Sequence, residues 1–362
     1  MMMTRREFAA GVFAAGAAGC TMPPSASVWK PDEKAMVWGE LFHLSTNMWS
    51  DYRKGEYPDE LINRNKQNYK TRAWYCDELR TDDALWHAVT GEMQKAGMNM
   101  VVIDLGDGVE WPSHPEIAVK GAWSVEKLRG ELKRVRSMGL EPIPKLNFST
   151  AHDAWLGEYQ RMVSSRIYYS VCADLIRDVA EIFDRPRFLH LGYDEETAGH
   201  QSWGCYGHIV VRAGSQWWHD FDFFRRETEK NGMRAWIWSD YIWHHEKEFL
   251  QRMSRDVLQS NWYYYNSMTK PTNHPKPEMC KPWIEAFEKL DKAGFDQIPC
   301  GSTCECDENF GAIVPWCRER LSKERLKGFL MAPWSSAWPA KGCKSVQESY
   351  FKSIKLAKAA MY

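Results

Sequence analysis

The sequence predicts a single (β/α)8 barrel over residues 36–362. Three observations carry that expectation. Eight short apolar runs alternate with stretches of helical periodicity, the pattern of a parallel sheet with crossover helices. No glycine-rich phosphate loop follows the first strand, which argues against an open nucleotide-binding sheet. The long connections, 42–81, 196–216 and 263–282, all come after strands. In a closed barrel they belong to the C-terminal face, where sites are built.

The elements follow in order. Met36 to Leu41 reads as the first strand, and Leu85, Val89, Met93 and Ala96 share a helical face that ends at Gly97. Asn99 to Leu105 is the second strand. Ser124 is placed to cap a helix carrying Leu128, Leu132 and Val135, closed by Gly139, and Leu140 to Leu146 is the third strand. Val171, Leu175, Val179 and Ile182 line one helix face ahead of the fourth strand, Arg187 to Leu191. Phe221, Phe224 and Thr228 precede Gly232 and the fifth, Met233 to Trp238. Val257 to Trp262 is the sixth strand, and Trp283 to Lys292 a helix ending at Gly294. Phe295 to Pro299 and Gly328 to Trp334 complete the eight, and a closing helix runs from Val346 to Met361.

Composition narrows the function. Lys and Arg number 47 against 48 Asp and Glu, a net charge of −1 that leaves no basic excess for nucleic acid. No apolar run approaches the roughly 20 residues that span a bilayer. The 19 Trp, 15 Tyr and 15 Phe stand out, because flat rings suit sugar faces.

The N-terminus reads as an address. Thr4-Arg5-Arg6-Glu7-Phe8 has the twin-arginine pattern, followed by the weakly apolar Ala9 to Ala18 and by Gly19-Cys20. The expectation is an export signal over 1–20, acylation at Cys20, and a tether over 21–35. The protein would then be periplasmic or anchored to the cell envelope of a bacterium. Of the nine later cysteines, Cys300, Cys304, Cys306 and Cys317 cluster, but their spacing matches no standard zinc or iron–sulfur run. His244 and His245 read as solvated loop residues. No metal and no cofactor are expected.

Polar residues at the predicted strand ends are the site candidates: Asp104 and Asp107; Asn147, Ser149 and His152; His190, Asp194, Glu195 and Glu196; Trp238 and Asp240; Trp262 to Tyr265; Trp334 and Trp338. Carboxylates beside large aromatics at one topological level suit a glycosidase, which needs acids for proton transfer and rings to hold pyranose faces.

The segment His190-Leu191-Gly192-Tyr193-Asp194-Glu195 resembles the His-[Ile/Leu]-Gly-Gly-Asp-Glu signature of family-20 glycoside hydrolases, the β-N-acetylhexosaminidases. Gly139-Leu-Glu-Pro-Ile-Pro144, with Asn147 and His152 beyond, is similar to that family's third-strand pattern. Asp107-Gly-Val-Glu-Trp111 and Gly121-Ala-Trp-Ser124 resemble its second-strand turn and the helix entry after it. The resemblance implies a substrate-assisted retaining mechanism on an N-acetylhexosamine at a glycan end. Glu195 would be the general acid, and Asp194 would hold the acetamido nitrogen. Two adjacent carboxylates repel as anions, which would help keep one protonated near neutral pH. Asp107, His152, His190, Trp238, Asp240, Trp262, Tyr263 and Trp334 would contact the sugar.

The chain departs from the family pattern in several places. Tyr193 replaces the second glycine, putting bulk beside the acid pair, and Lys145 and Asn147 stand where the family has Glu and Asp. The first strand lacks the arginine, and the seventh the tyrosine, that the resemblance calls for; Tyr263 to Tyr265 are candidates to replace the latter. Two other readings stay open. One is a non-catalytic glycan-binding envelope lipoprotein. The other is a glycosidase for sugars without the acetamido group, with Asp240 or Asp307 as nucleophile.

Overall fold

The computed structural model describes residues 31–53, 55–56, 74–204, 206–334 and 343–362. The twin-arginine stretch, Cys20, most of the 21–35 tether, Cys205 and Trp338 lie outside these, as does the side chain of Cys343.

Eight parallel strands are present: β1 (Val37–His43), β2 (Met100–Asp104), β3 (Glu141–Lys145), β4 (Phe188–His190), β5 (Arg234–Trp238), β6 (Leu258–Ser260), β7 (Cys300–Gly301) and β8 (Gly328–Met331). They pair in the order β6-β5-β4-β3-β2-β1-β8-β7. Bridges between Gln259 and Gln297 and between Trp262 and Cys300 join the two ends of that order. There the Cys300 N–H donates to the Asn261 carbonyl (2.9 Å), and the Tyr263 N–H to that of Cys300 (3.1 Å). The architecture is a single-domain (β/α)8 barrel.

Nine α-helices are described: α1 (Asp83–Ala96), α2 (Val125–Ser137), α3 (Arg166–Ile182), α4 (Ala198–Gly204), α5 (Ser215–Lys230), α6 (Ile242–Arg252), α7 (Cys280–Lys292), α8 (Asn309–Arg320) and α9 (Cys343–Met361). The predicted caps form. Ser124 Oγ accepts the Lys127 N–H, and Gly97, at φ 83°, closes α1 in the left-handed conformation. Strand alternation sorts side chains into two cores. Leu41, Val102, Ile143, Trp236 and Leu330 fill the barrel interior. Phe42 points the other way, stacking on Tyr350 of α9 (5.2 Å) and meeting Trp86 of α1 edge-on (4.9 Å).

Two differences from the predicted elements have clear causes. The seventh strand is regular only at Cys300–Gly301, after the predicted run. Pro299, lacking an N–H, breaks the donor ladder just before it. Helix α8 was not anticipated because Pro315 sits inside it and reads as a breaker, although Phe310, Ile313, Val314 and Cys317 are buried at helical spacing.

Candidate active site

A cavity of about 780 Å³ opens at the C-terminal ends of the strands. Asn147, His152, Asp194, Glu195, Asp240, Trp262 and Trp334 line it, joined by Trp49, Trp243 and Tyr264. The loops after β1, β3, β4, β5, β6 and β8 all contribute, as the barrel topology requires.

The acids sit on a turn after β4 that only a small residue at 192 permits. Gly192 has φ 71°, and a Cβ built there would run into the Asn147 side chain. Tyr193 (φ 75°) and Glu195 (φ 59°) are also left-handed, a conformation costing on the order of 1–3 kcal/mol for such residues. Hydrogen bonds from two neighbouring segments, the ends of β3 and β5, hold the turn. The Trp238 N–H donates to the Gly192 carbonyl (2.9 Å), the Glu195 N–H to Asp240 Oδ2 (2.9 Å), and Ser149 Oγ to the Asp194 carbonyl. The Tyr193 ring packs among Trp217, Phe221 and Phe224 of α5, with the Arg212 guanidinium over its face at 4.6 Å. The bulk expected beside the acid pair is thus anchored in the helix layer.

Asn147 Nδ2 donates to Asp194 Oδ1 (3.0 Å). His152 Nε2 lies 3.2 Å from Asp194 Oδ2 and 3.1 Å from Glu195 Oε2. His200 Nε2, from α4, lies 2.8 Å from the same Glu195 oxygen. Burial alone would push the Glu195 carboxyl up, but the charge of His200 and the hydrogen bond from His152 outweigh it and hold Glu195 well below the usual carboxylate range. Burial lowers His152, yet Asp194 and Glu195 raise it to about 10. The proton expected on one of the adjacent acids is instead favoured on Asp240, which burial and then the Asp194 charge push up.

Four expected sugar contacts fall outside the cavity lining. Asp107 is fully buried, accepting from Ser45 Oγ and from Asn47 Nδ2 (2.8 Å), so it ties the β1 and β2 loops together; burial raises it to about 7. His190 points into the barrel between Trp236 (4.9 Å) and Trp238 (4.4 Å), and its Nδ1 accepts the Gly192 N–H (3.1 Å). It shapes the acid turn from below. Trp238 is also buried, with its ring 5.9 Å from that of Trp334. Tyr263 faces outward, its hydroxyl donating to the Ser267 carbonyl (2.7 Å), because alternation sends 262 and 264 inward. Tyr264, not Tyr263, faces the cavity, stacked on Trp262 at 5.0 Å. Asp307 pairs with Lys352 (2.7 Å) away from the cavity.

No family model matches the sequence, and no curated protein matches it. Solved structures do. A GH20 exo-β-N-acetylglucosaminidase from Vibrio harveyi, in complex with N-acetylglucosamine, gives a TM-score of 0.51 at 13% identity, covering 90% of this chain and 54% of that one. Dispersin B gives 0.52 at 13% identity, covering 80% and 96%. A β-N-acetylhexosaminidase from Bacteroides fragilis gives 0.50 at 12% identity, covering 88% and 65%. The likeness is one of fold. The chain spans about half the length of the Vibrio protein.

Residues that sequence reasoning passed over complete the site. His200 lies five positions beyond Glu195, in a segment with no helical periodicity to place it. Trp49 sits in the β1 loop and meets Trp334 edge-on at 6.5 Å. Trp243 contacts Trp262 (4.4 Å) and Trp283 (5.3 Å), extending the aromatic wall. His244 and His245 are exposed, as expected, but they ride on α6 at the cavity's edge rather than in a loop. The single arginine in the described lining, Arg212, pairs with Glu196 and with Asp220 (3.3 Å). Glu196 is thereby a structural partner of Arg212 rather than a third member of the acid pair.

Proposed function

We propose that this chain is a glycoside hydrolase that removes terminal N-acetylhexosamine from glycans with retention, using the substrate's acetamido oxygen as the nucleophile. The observation that carries the reading is the adjacency of Asp194 and Glu195 on one constrained turn, facing a cavity walled by Trp49, Trp262 and Trp334. A sugar seated against those rings displaces water and strengthens every charge interaction around it.

Asp194, fixed by Asn147, accepts the acetamido N–H and holds negative charge beside the cationic ring of the intermediate. Glu195 delivers the proton to the leaving oxygen and later takes one from water. His152, whose Nε2 is 3.1 Å from Glu195 Oε2, is the adjacent group from which that acid takes its proton. Asp240, hydrogen-bonded to the Glu195 backbone and to Trp262 Nε1 (3.3 Å), fixes the base of the pair.

Asp240 also favours a second reading. It lines the cavity beside Glu195, where it would supply the nucleophile for a sugar lacking the acetamido group. A panel of aryl glycosides with and without a 2-acetamido substituent separates the two. Turnover confined to the acetamido sugars supports the first. Equal turnover of simple glycosides supports the second, and glycan binding without turnover of any member supports a non-catalytic lectin-like role.

We further propose that residues 1–20 direct export and that Cys20 is acylated. Mass spectrometry of the envelope fraction tests this, since an unmodified Cys20 in the mature protein would remove the anchor.

A further inference from the structure

We propose that His152, His200 and Glu195 form a binding site for one divalent transition-metal ion. The three ligand atoms, two imidazole Nε2 and one carboxylate oxygen, lie within 4.8 Å of one another. Both nitrogens face the same oxygen, at 3.1 Å and 2.8 Å. Asp194 Oδ2, 3.2 Å from His152 Nε2, is the adjacent fourth donor. A tetrahedral ion with bonds near 2.1 Å separates its ligands by roughly 3.4 Å, so the two N···O spacings need to open by only a few tenths of an ångström, while the two nitrogens lie within 4.8 Å of each other.

Charge points the same way. Asp194, Glu195 and Asp240 crowd one corner of the cavity, and among the described residues no lysine or arginine pairs with any of them. The one arginine in the lining is committed to Glu196 and Asp220. Among the described residues the two imidazoles are the only ionisable bases paired with these acids, and an ion that displaces the His152 proton finds two imidazoles and a carboxylate as ligands. Nitrogen-rich donors select zinc, cobalt or nickel over calcium and magnesium. The Glu195 and His200 side chains are 29% and 22% exposed, so an ion reaches them from the cavity.

An ion on Glu195 Oε2 excludes a proton from that oxygen. On the hydrolase reading given above, on which this consequence rests, occupancy stops turnover and chelation restores it.

The test is calorimetric titration of the full chain with Zn2+, together with the visible spectrum of the Co2+ form. The expected result is one ion per chain, weakened at least about 10-fold by His152→Ala and by His200→Ala, and unchanged by Cys304→Ser. Should either alanine variant fail to fold, His200→Gln replaces it as the milder probe. Aryl glycoside turnover should fall with the same midpoint and recover with EDTA. The proposal is overturned if no ion binds at millimolar Zn2+, if binding ignores both histidines, or if the bound form turns over at the full rate. A chain that binds zinc but cleaves no glycoside keeps the metal site and ends the hydrolase reading. A chain that hydrolyses without binding zinc does the reverse.

Discussion

Asn147 occupies the space that any side chain at position 192 would need, and the same amide hydrogen-bonds Asp194. A glycine in the turn after β4 and an asparagine just past the neighbouring β3 therefore set the acid turn together.

Gly192→Ala should damage the turn twice, through the positive φ and through the collision with Asn147. We expect a stability loss of about 1–3 kcal/mol in chemical denaturation. Activity should fall further than that loss explains, because Asn147 must release Asp194 to make room. Unchanged turnover in a folded Gly192→Ala protein would separate the turn from function.

Tyr264→Ala should weaken glycan affinity by about 3- to 10-fold, the worth of one aromatic contact, because the ring is stacked on Trp262 at the cavity. Tyr263→Phe should leave affinity unchanged, since its hydroxyl serves the Ser267 carbonyl outside. Titration of both variants with an N-acetylglucosamine oligomer checks the pair, and the reverse ranking would contradict the assignment.

Asp107 gives a pH signature. Burial raises it from 3.8 to about 7, so between those values the native state binds a proton that the unfolded chain has released. Stability should therefore decline as pH rises from about 4 to 7 and level off above 7. The contribution is on the order of a few kcal/mol. Asp107→Asn keeps the partners Ser45 and Asn47 and should flatten that limb in urea melts taken across the range.

Much of this was legible in the sequence because barrels are periodic. Short apolar runs between helical faces of period 3.6 placed seven of the eight strands closely, and Pro299 displaced the seventh. The acid turn was legible through His190-Leu-Gly-Tyr-Asp-Glu, a local string. What failed were directions. Alternation past β6 sends Tyr264 inward and Tyr263 outward, and this depends on where the strand leaves its ladder. Asp107 turns to Ser45 and Asn47, partners about 60 residues away that no local pattern names. His200 reaches Glu195 from the short helix α4, which no apolar periodicity announces, and the protonation order of the acids depends on that contact.

The central claim is that Glu195 passes a proton to the leaving group while Asp194 steadies the acetamido group. The direct measurement compares wild type with Glu195→Gln on a poorly activated phenyl N-acetyl-β-glucosaminide and on its nitrophenyl counterpart. We predict that Glu195→Gln loses at least about 100-fold on the phenyl glycoside and far less on the nitrophenyl one. Equal losses on both substrates, or wild-type rates in Glu195→Gln, would contradict the assignment.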